Sequence, residues 1–484
     1  MRRFATPAAY FLMLCTTPAF AHGGGPGDGT PYEPPPYEEP PPQKHKNVSK
    51  KHQHEVWVVD QSNNTGVTWG GKIHIFDGEK LRKNAATAPR ETIDLGGTTT
   101  ALCMAETGAN PVRPHMLVFN PEGHTHAILA FVASGHVVVF DATTREPLRC
   151  FRTEPGAGGA RQAHAIWPSP DEAYILVANQ NGKKLERIAS NYETNTFVQE
   201  PAATLDLANC TTPNGLPCQD PVLRPDNAPI CPFIPESGYP AYVSLRGGGM
   251  LVYDPYTTPM SIVGEYPAGV IPRDGCGFVE AKGYVYGNGG GGNAANLDGW
   301  FIYRLPVGGD DVYNAANPPN TPAMQEIDHD TRTNRDAHGV GRTKNENYVW
   351  FFDRGANVVE IFKANSGEKK NVVNLVSPFS ADPTPDLAGE APDGHYMYLS
   401  TRGPNPLSGD PHASTGSTPG VLVVEVLKGG KSAAVRGLAP ITNVDGAGVE
   451  RADAHGIRVR LIGKKHGHGG GHDDDDDDDG DCHH

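Results

Sequence analysis

Histidine or cysteine follows an arginine by two to four residues at five places along the chain. Neutral imidazoles and thiolates are the side chains that bind copper and zinc in proteins. If the fold brings these motifs together, they predict a transition-metal site in which one cysteine replaces a histidine. The pairs are Arg113 with His115, Arg161 with His164, Arg273 with Cys276, Arg335 with His338, and Arg451 with His455.

Aspartate accompanies three of the motifs, at Asp274, Asp336 and Asp453. The arginines and aspartates allow two interpretations. They form ion pairs that fix one repeat against the next, or they orient the imidazoles and provide a positive rim that attracts a small anion. Both interpretations remain open.

The two ends of the chain contain a second, weaker group of potential ligands. Seven consecutive aspartates, residues 473–479, lie among histidines near the C-terminus. Such tracts bind nickel, copper or zinc without a fixed geometry, or only keep a tail in solution. The histidines of these weak tail sites are His22, His466, His468, His472, His483 and His484.

The five motifs stand at the start of a repeating unit that predicts β-strands. In residues 115–141 and again in 164–188, an apolar strand is followed by a turn, a β-branched or aromatic strand and a third strand. His164 lies 49 residues after His115, a spacing that suits the four-stranded blades of a propeller. Six complete units begin near His115, His164, Pro232, Cys276, His338 and Leu387.

The ends of the repeat region provide a seventh unit. Residues 55–60 and 73–77 supply only its later strands, and residues 455–461 supply only its opening strand. Together they predict an all-β, seven-bladed β-propeller closed by N- and C-terminal strands, without an exposed sheet edge. Because the innermost strands of a propeller begin at one mouth of the central channel, the histidines and the cysteine should converge there. The units near Pro232 and Leu387 offer no aligned ligand.

Residues 164–179, HAIWPSPDEAYILVAN, resemble a YVTN-type repeat, the unit of surface-layer, lactonase-like and nitrous-oxide-reductase-like propellers. The likeness to the nitrous oxide reductase propeller implies a multicopper centre in the channel. The electron-transfer copper domain of that enzyme has no counterpart here. Many YVTN-type repeats begin with a histidine that only hydrogen-bonds neighbouring strands, so copper, zinc or no cofactor all remain open. The implied ligands are His115, His164, His338 and His455, with Cys276 as a substitution.

The N-terminus predicts export. Two arginines, an apolar run at residues 8–15, and Ala19 and Ala21 are typical of a signal peptide cut after Ala21. We expect a signal peptide over 1–21, a disordered Gly/Pro/His-rich linker over 22–53, the propeller over 54–463, and a disordered His/Asp-rich tail over 464–484. The mature protein is therefore expected in the periplasm or secreted, with no membrane span.

Eight cysteines, seven of them beyond the signal peptide, indicate disulfides formed in an oxidising compartment. Their connectivity is not fixed by the sequence. We expect bridges between Cys103 and Cys150 and within the group Cys210, Cys218 and Cys231, with Cys276 and Cys482 outside structural bridges.

A net charge of −15 argues against a nucleic-acid partner, although seven of the negative charges lie in one terminal run. The expected partner is a small molecule or a metal ion. Three functions fit: a copper- or zinc-binding propeller, including a copper-dependent oxidoreductase; a non-catalytic binding or scaffold propeller; and a lactonase-like hydrolase with a channel histidine as general base.

Overall fold

A computed structural model describes residues 30–43, 45, 52–272, 275–290, 299–309, 311–316, 319–407 and 415–462. Within these residues the strands form seven antiparallel sheets, six with four strands and one with a fifth short strand. Each sheet is one blade of a β-propeller. The predicted seven-bladed, all-β fold is confirmed.

Six blades are continuous in the chain, and the seventh combines its two ends. Blade 7 contains β1 (His54–Asp60), β2 (Lys72–Asp77) and β3 (Arg90–Asp94), with helices α1 (Gly78–Lys83) and α2 (Thr98–Thr107) before and after β3. Blade 1 contains β4 (Pro114–Phe119), β5 (His126–Phe131), β6 (His136–Asp141) and β7 (Pro147–Arg152). Blade 2 contains β8 (Ala163–Pro168), β9 (Tyr174–Asn179), β10 (Lys184–Asn191), β11 (Thr196–Gln199) and the short β12 (Leu205–Asp206).

The remaining blades follow in order around the ring. Blade 3 contains β13 (Pro229–Phe233), β14 (Ala241–Leu245), β15 (Met250–Asp254) and β16 (Ser261–Tyr266). Blade 4 contains β17 (Phe278–Ala281), β18 (Tyr284–Gly289), β19 (Trp300–Pro306) and β20 (Gln325–Asp330). Blade 5 contains β21 (Ala337–Arg342), β22 (Tyr348–Asp353), β23 (Val358–Lys363) and β24 (Lys369–Asn374). Blade 6 contains β25 (Pro385–Glu390), β26 (Tyr396–Thr401), β27 (Gly420–Leu427) and β28 (Ser432–Pro440).

The last strand, β29 (Ala454–Leu461), is the innermost strand of blade 7 and pairs antiparallel with β1. The predicted closure of the ring by N- and C-terminal strands is therefore confirmed. Single-turn 3₁₀ helices lie at Ala85–Thr87, Ala157–Gly159, Pro201–Ala203 and Lys428–Gly430.

Burial explains the sequence of each blade. A middle strand such as β22, YVWFFD, is almost wholly buried because neighbouring blades pack on both of its faces, and it reads as an unbroken apolar run. An outer strand such as β3, RETID, is mostly exposed and accordingly polar. The core therefore lies between the blades, and the innermost strands surround the channel.

Three disulfides connect parts of the described chain. Cys103 on α2 is bonded to Cys150 on β7, as predicted. Cys210 is bonded to Cys218 in the loop after β12, also within the predicted group. Cys276, expected outside structural bridges, is instead bonded to Cys231, and this bond joins blades 3 and 4. Cys482 lies outside the described residues.

Part of the segment assigned to a disordered linker packs on the propeller. The Tyr32 ring is buried, and the Arg335 guanidinium lies 4.0 Å from its centre. Asn374 donates to the Pro35 carbonyl at 2.8 Å, and Arg436 donates to the Pro40 carbonyl at 2.8 Å. Residues 30–43 and 45 thus lie along blades 5 and 6, so this part of the segment is ordered against them.

No helix in the described ranges is both long and apolar enough to cross a membrane.

Candidate functional site

Six of the seven innermost strands have a β-bulge near their start, and β17 of blade 4 pairs without one. In blade 1, Pro114 pairs with Phe131 and Leu117 pairs with Leu129, so β4 has one extra residue between the two pairs. His115 lies in this bulge, two residues before Leu117. Leu117 pairs with the residue that lies two positions before the end of the second strand of its blade. In the other blades, counting two residues back from the innermost-strand residue with this same pairing places His164, Cys276, His338 and His455 at the position of His115.

The two blades without a predicted ligand complete the ring. Blade 6 places Asp386 at the equivalent position, and blade 3 places Ile230 there, directly before Cys231. Asp386 was missed because that unit was taken to start at Leu387. We use the name channel ring for His115, His164, Cys231, Cys276, His338, Asp386 and His455.

Four imidazoles of the channel ring form a continuous row. The rings of His115 and His455 are stacked, with centres 3.8 Å apart and an interplanar angle of 15°. His115 meets His164 edge-on at 4.8 Å, and His455 lies 5.4 Å from His338. Two side chains more than about 8 Å apart could not share one ion, because metal–ligand bonds are only about 2 Å long. Neighbouring rings are well within that separation.

Each of the four imidazoles has its Nδ1 atom within hydrogen-bonding distance of an oxygen. The partners are Gln61 Oε1 for His115 at 3.0 Å, Ile230 O for His164 at 3.1 Å, the Asp386 backbone carbonyl for His338 at 3.3 Å, and Asp386 Oδ2 for His455 at 2.6 Å. Asp386 Oδ1 also lies 2.7 Å from His338 Nδ1. Amide, carbonyl and carboxylate oxygens accept, so Nδ1 must donate. This leaves the lone pair of each neutral imidazole on Nε2.

The Nε2 atoms of His115 and His455 are buried and have no hydrogen-bond partner within the described part of the chain. Burial, together with His455, His164 and Arg113, holds the pKa of His115 well below its usual range. Burial also lowers the pKa of His455, although Asp386 opposes this effect. Both side chains are therefore neutral near pH 7, which is the state that binds metals.

Asp386 is the fully buried anion of the site. Burial alone would raise the pKa of its carboxyl group, but His455, His338, Arg402 and Arg354 outweigh burial and hold the pKa well below its usual range. Asp386 is therefore a carboxylate that accepts the Nδ1–H of His455 and lies within ion-pairing distance of His338 Nδ1.

The sulfur atoms lie at the other end of the row. Ligand atoms of His164, Cys231 and Cys276 all lie within 4.8 Å of one another, with the Cys231 sulfur 3.8 Å from His164 Nδ1. Cys276 was predicted to be a thiolate ligand, but its sulfur is bonded to Cys231. A disulfide sulfur has no thiolate charge, so Cys276 and Cys231 could bind a metal only after reduction.

A ladder of buried ion pairs surrounds Asp386 and links blades 5, 6 and 7. Arg354 contacts Asp336 at 2.8 Å and Asp386 at 3.2 Å. Arg402 contacts Asp386 at 2.9 Å and Asp453 at 2.6 Å. The Arg354–Asp386 pair joins blades 5 and 6, and the Arg402–Asp453 pair joins blades 6 and 7, whereas Asp336 pairs with Arg354 of its own blade. Through the two arginines, Asp336 and Asp453 also hold the carboxylate of Asp386.

The arginines of the motifs do not form a common rim. Arg335 is buried among Asp353, Asp330 and Glu360, away from the imidazoles. Arg161 donates to the Thr153 carbonyl, Arg451 pairs with Asp445, and the charge of Arg113 contributes to the lowered pKa of His115. Arg273 and Asp274 lie outside the described residues, as do the tail histidines.

Two further arginines, Arg354 and Arg402, hold Asp386 beside the imidazoles, and sequence reasoning missed them. Each directly follows the last residue of the second strand of its blade, β22 or β26. An arginine at this repeated position was a signal available in the sequence.

No protein-family model and no curated protein matches the chain. Among solved structures, a hypothetical selenium-binding protein from Sulfolobus tokodaii has a TM-score of 0.56 at 10% identity, over 84% of this chain and 94% of that one. The periplasmic gluconolactonase of Pseudomonas aeruginosa has a TM-score of 0.50 at 12% identity, over 84% of this chain and 99% of that one. At such identities the likeness establishes the propeller fold alone.

Proposed function

We propose that this chain is an exported propeller that binds copper or zinc through the imidazoles of the channel ring. One observation carries the proposal: four neighbouring imidazoles all have Nδ1 engaged by an oxygen, which leaves their Nε2 lone pairs for a ligand. Metal-binding histidines in proteins are held in this way, with the second ring nitrogen bonded to a carboxylate or carbonyl oxygen.

The unpartnered Nε2 atoms of His115 and His455 support a ligand at this place. A buried polar atom without a hydrogen bond costs about 1–3 kcal/mol, and two such atoms lie in stacked rings 3.8 Å apart. His74 also has a buried, unpartnered Nε2, but no other imidazole is stacked on it among the described residues. The adjacency of several imidazoles therefore distinguishes the channel from an ordinary buried histidine.

The fixed charges around the imidazoles favour a cation. The Asp386 carboxylate lies 2.6 Å from His455 Nδ1 and 2.7 Å from His338 Nδ1, so a negative charge stands beside these imidazoles. In a buried site this charge would stabilise a bound metal ion more strongly than in water. Asp386 accepts the Nδ1–H of His455 and would hold that imidazole in the orientation that presents Nε2 to a metal.

The resemblance to nitrous-oxide-reductase-like propellers makes a copper-dependent oxidoreductase the catalytic form of this proposal. A lactonase-like hydrolase is the second candidate. It is favoured by the His338–Asp386 pair, in which the carboxylate orients a half-buried imidazole as general-base catalysis requires. The propeller fold shared with a gluconolactonase is compatible with it. Metal content separates the two candidates.

The test uses the mature full-length chain without an affinity tag and with the tail histidines replaced by alanine. After reconstitution with Cu(II) or Zn(II) and dialysis, elemental analysis should find at least about one equivalent of metal. Loss of a residue that only supports a metal ligand typically weakens metal binding by roughly 10–100-fold. His115→Gln and His455→Gln remove ligands themselves, so each should weaken metal binding by more than this.

The matched control is His74→Gln, which removes a buried histidine with an unpartnered Nε2 outside the channel. It should retain the metal. A metal-free protein after reconstitution, or equal loss of metal in the His74→Gln and His115→Gln proteins, would contradict the proposal.

A further inference from the structure

A cavity of about 350 Å³ lies at the mouth of the channel opposite the imidazoles. Residues of six of the seven innermost strands, or of the segments directly after them, line it, so it belongs to the central channel rather than to a groove between two blades. Its wall is mainly apolar. The Trp167 and Phe233 rings are 5.1 Å apart and the Phe233 and Phe278 rings 5.9 Å apart, which makes one continuous aromatic surface.

Arg458 on β29 is the cation in this apolar wall. Its guanidinium lies 5.6 Å from the centre of the Trp167 ring and donates to the Ile457 carbonyl at 3.0 Å. None of the described carboxylates lies within ion-pairing distance of it. Burial lowers the pKa of Arg458 to about 10, so it remains a cation at neutral pH. The side chain is partly exposed and lines the cavity. It has no counter-ion among the described residues and can therefore pair with an anionic ligand.

The other charged groups at this mouth already have partners. Arg342 donates to Glu346 at 2.9 Å, pairs with Glu236 and donates to the Glu280 carbonyl at 2.8 Å. The Glu280 carboxylate accepts the backbone N–H of Glu236 at 2.6 Å. These acidic side chains would repel an anion from their side of the cavity and leave Arg458 as its binding partner.

We propose that this cavity binds a small carboxylate with an apolar or aromatic body. The carboxylate pairs with Arg458, and the body packs on Trp167, Phe233 and Phe278. A cavity of this size is within the range of small-molecule sites, which are mostly apolar with a few polar groups that fix orientation. Arg458 lies three residues beyond His455 on the same strand, about 10 Å away along a β-strand. The site is therefore distinct from the imidazoles and does not depend on the metal proposal.

The probe is 4-phenylbutyrate, with 4-phenylbutanol as its uncharged counterpart, and the assay is isothermal titration of the full-length protein in EDTA. We expect one phenylbutyrate per chain and much weaker binding of the alcohol. Arg458→Gln should weaken phenylbutyrate binding by about 10–100-fold, as loss of a charged hydrogen bond does. It should leave the alcohol unchanged, and Arg458→Lys should retain part of the affinity.

Arg149→Gln is the control, because Arg149 is a half-exposed arginine that pairs with Glu106 outside the channel. It should bind phenylbutyrate as the wild type does. Equal affinity for acid and alcohol, no binding of the acid, or the same loss in the Arg149→Gln and Arg458→Gln proteins would overturn the proposal. Since EDTA removes metal, a failed metal site leaves this result unaffected.

Discussion

Replacement of Asp386 by asparagine removes one charge from the centre of the molecule while preserving the shape of the side chain. The carboxylate is fully buried, accepts from His455 at 2.6 Å, Arg402 at 2.9 Å and Arg354 at 3.2 Å, and lies 2.7 Å from His338 Nδ1. In the Asp386→Asn protein the two arginines keep Asp336 and Asp453 but lose the anion between them.

Loss of one partner of a buried ion pair costs about 3–5 kcal/mol, because the remaining charge is left uncompensated. We therefore expect the free energy of unfolding of Asp386→Asn at pH 7 to be lower than that of the wild type by about this amount. Urea denaturation followed by fluorescence measures it. Glu193→Gln makes the same chemical change at an exposed position and should alter stability by less than about 0.5 kcal/mol.

The pH dependence provides a second check. Because the pKa of Asp386 in the folded protein is well below its usual range, its stabilising effect is complete above the pKa of an unfolded aspartate, about 3.9. The effect is lost as the pH falls through the folded-state pKa. The gap between wild type and Asp386→Asn should thus stay constant from about pH 7 to 5 and shrink in stronger acid. A gap below about 1 kcal/mol at pH 7 would refute the ion-pair reasoning.

Reduction of the Cys231–Cys276 disulfide with a phosphine should create two thiols beside His164, and Co(II) titration should then show thiolate-to-cobalt absorption that the Cys231→Ser protein lacks. Identical spectra before and after reduction would contradict the contact of these three ligand groups. Burial lowers the pKa of His74 to about 3, so the native state keeps it neutral while the unfolded chain protonates it below about pH 6.5. Its contribution to stability is complete above that pH and declines by about 1.4 kcal/mol per pH unit towards about pH 3. In the His74→Gln protein, the free energy of unfolding should decrease less between pH 6.5 and 5.5, by about this amount. Urea denaturation at each pH measures it, and the same pH dependence in both proteins would argue against the prediction.

The fold could be predicted from the sequence because six of the seven blades are each formed by a continuous, repeated stretch of the chain. Each unit carries its own turns and apolar strands, and middle strands such as β22 are apolar throughout because they are buried on both faces. Even the closure by β1 and β29 could be predicted, since the N-terminal part of the repeat region lacks the innermost strand of a blade and the C-terminal part supplies only that strand. The repeat also aligned the four channel histidines correctly.

The content of the channel was harder to predict because it depends on contacts between blades. Cys276 fits the motif as a thiolate ligand, and only the proximity of Cys231 on the neighbouring blade turns it into half of a disulfide. Asp386 and Arg402 stand at repeat positions, but neither has the histidine or cysteine chemistry by which the site was recognised. Their role follows from the three-dimensional neighbourhood of His455.

The seam between β1 and β29 joins residues nearly 400 positions apart in the chain, so it is the contact with the largest loss of chain freedom in the ring. The strand that completes the seam also carries His455 and Arg458. Three features therefore need β29 to be paired with β1. They are the stacking of His455 on His115, the Arg402–Asp453 ion pair and the position of Arg458 in the apolar cavity. Because His455 and Arg458 both lie on β29, loosening of this one pair of strands would disrupt the two ends of the channel together.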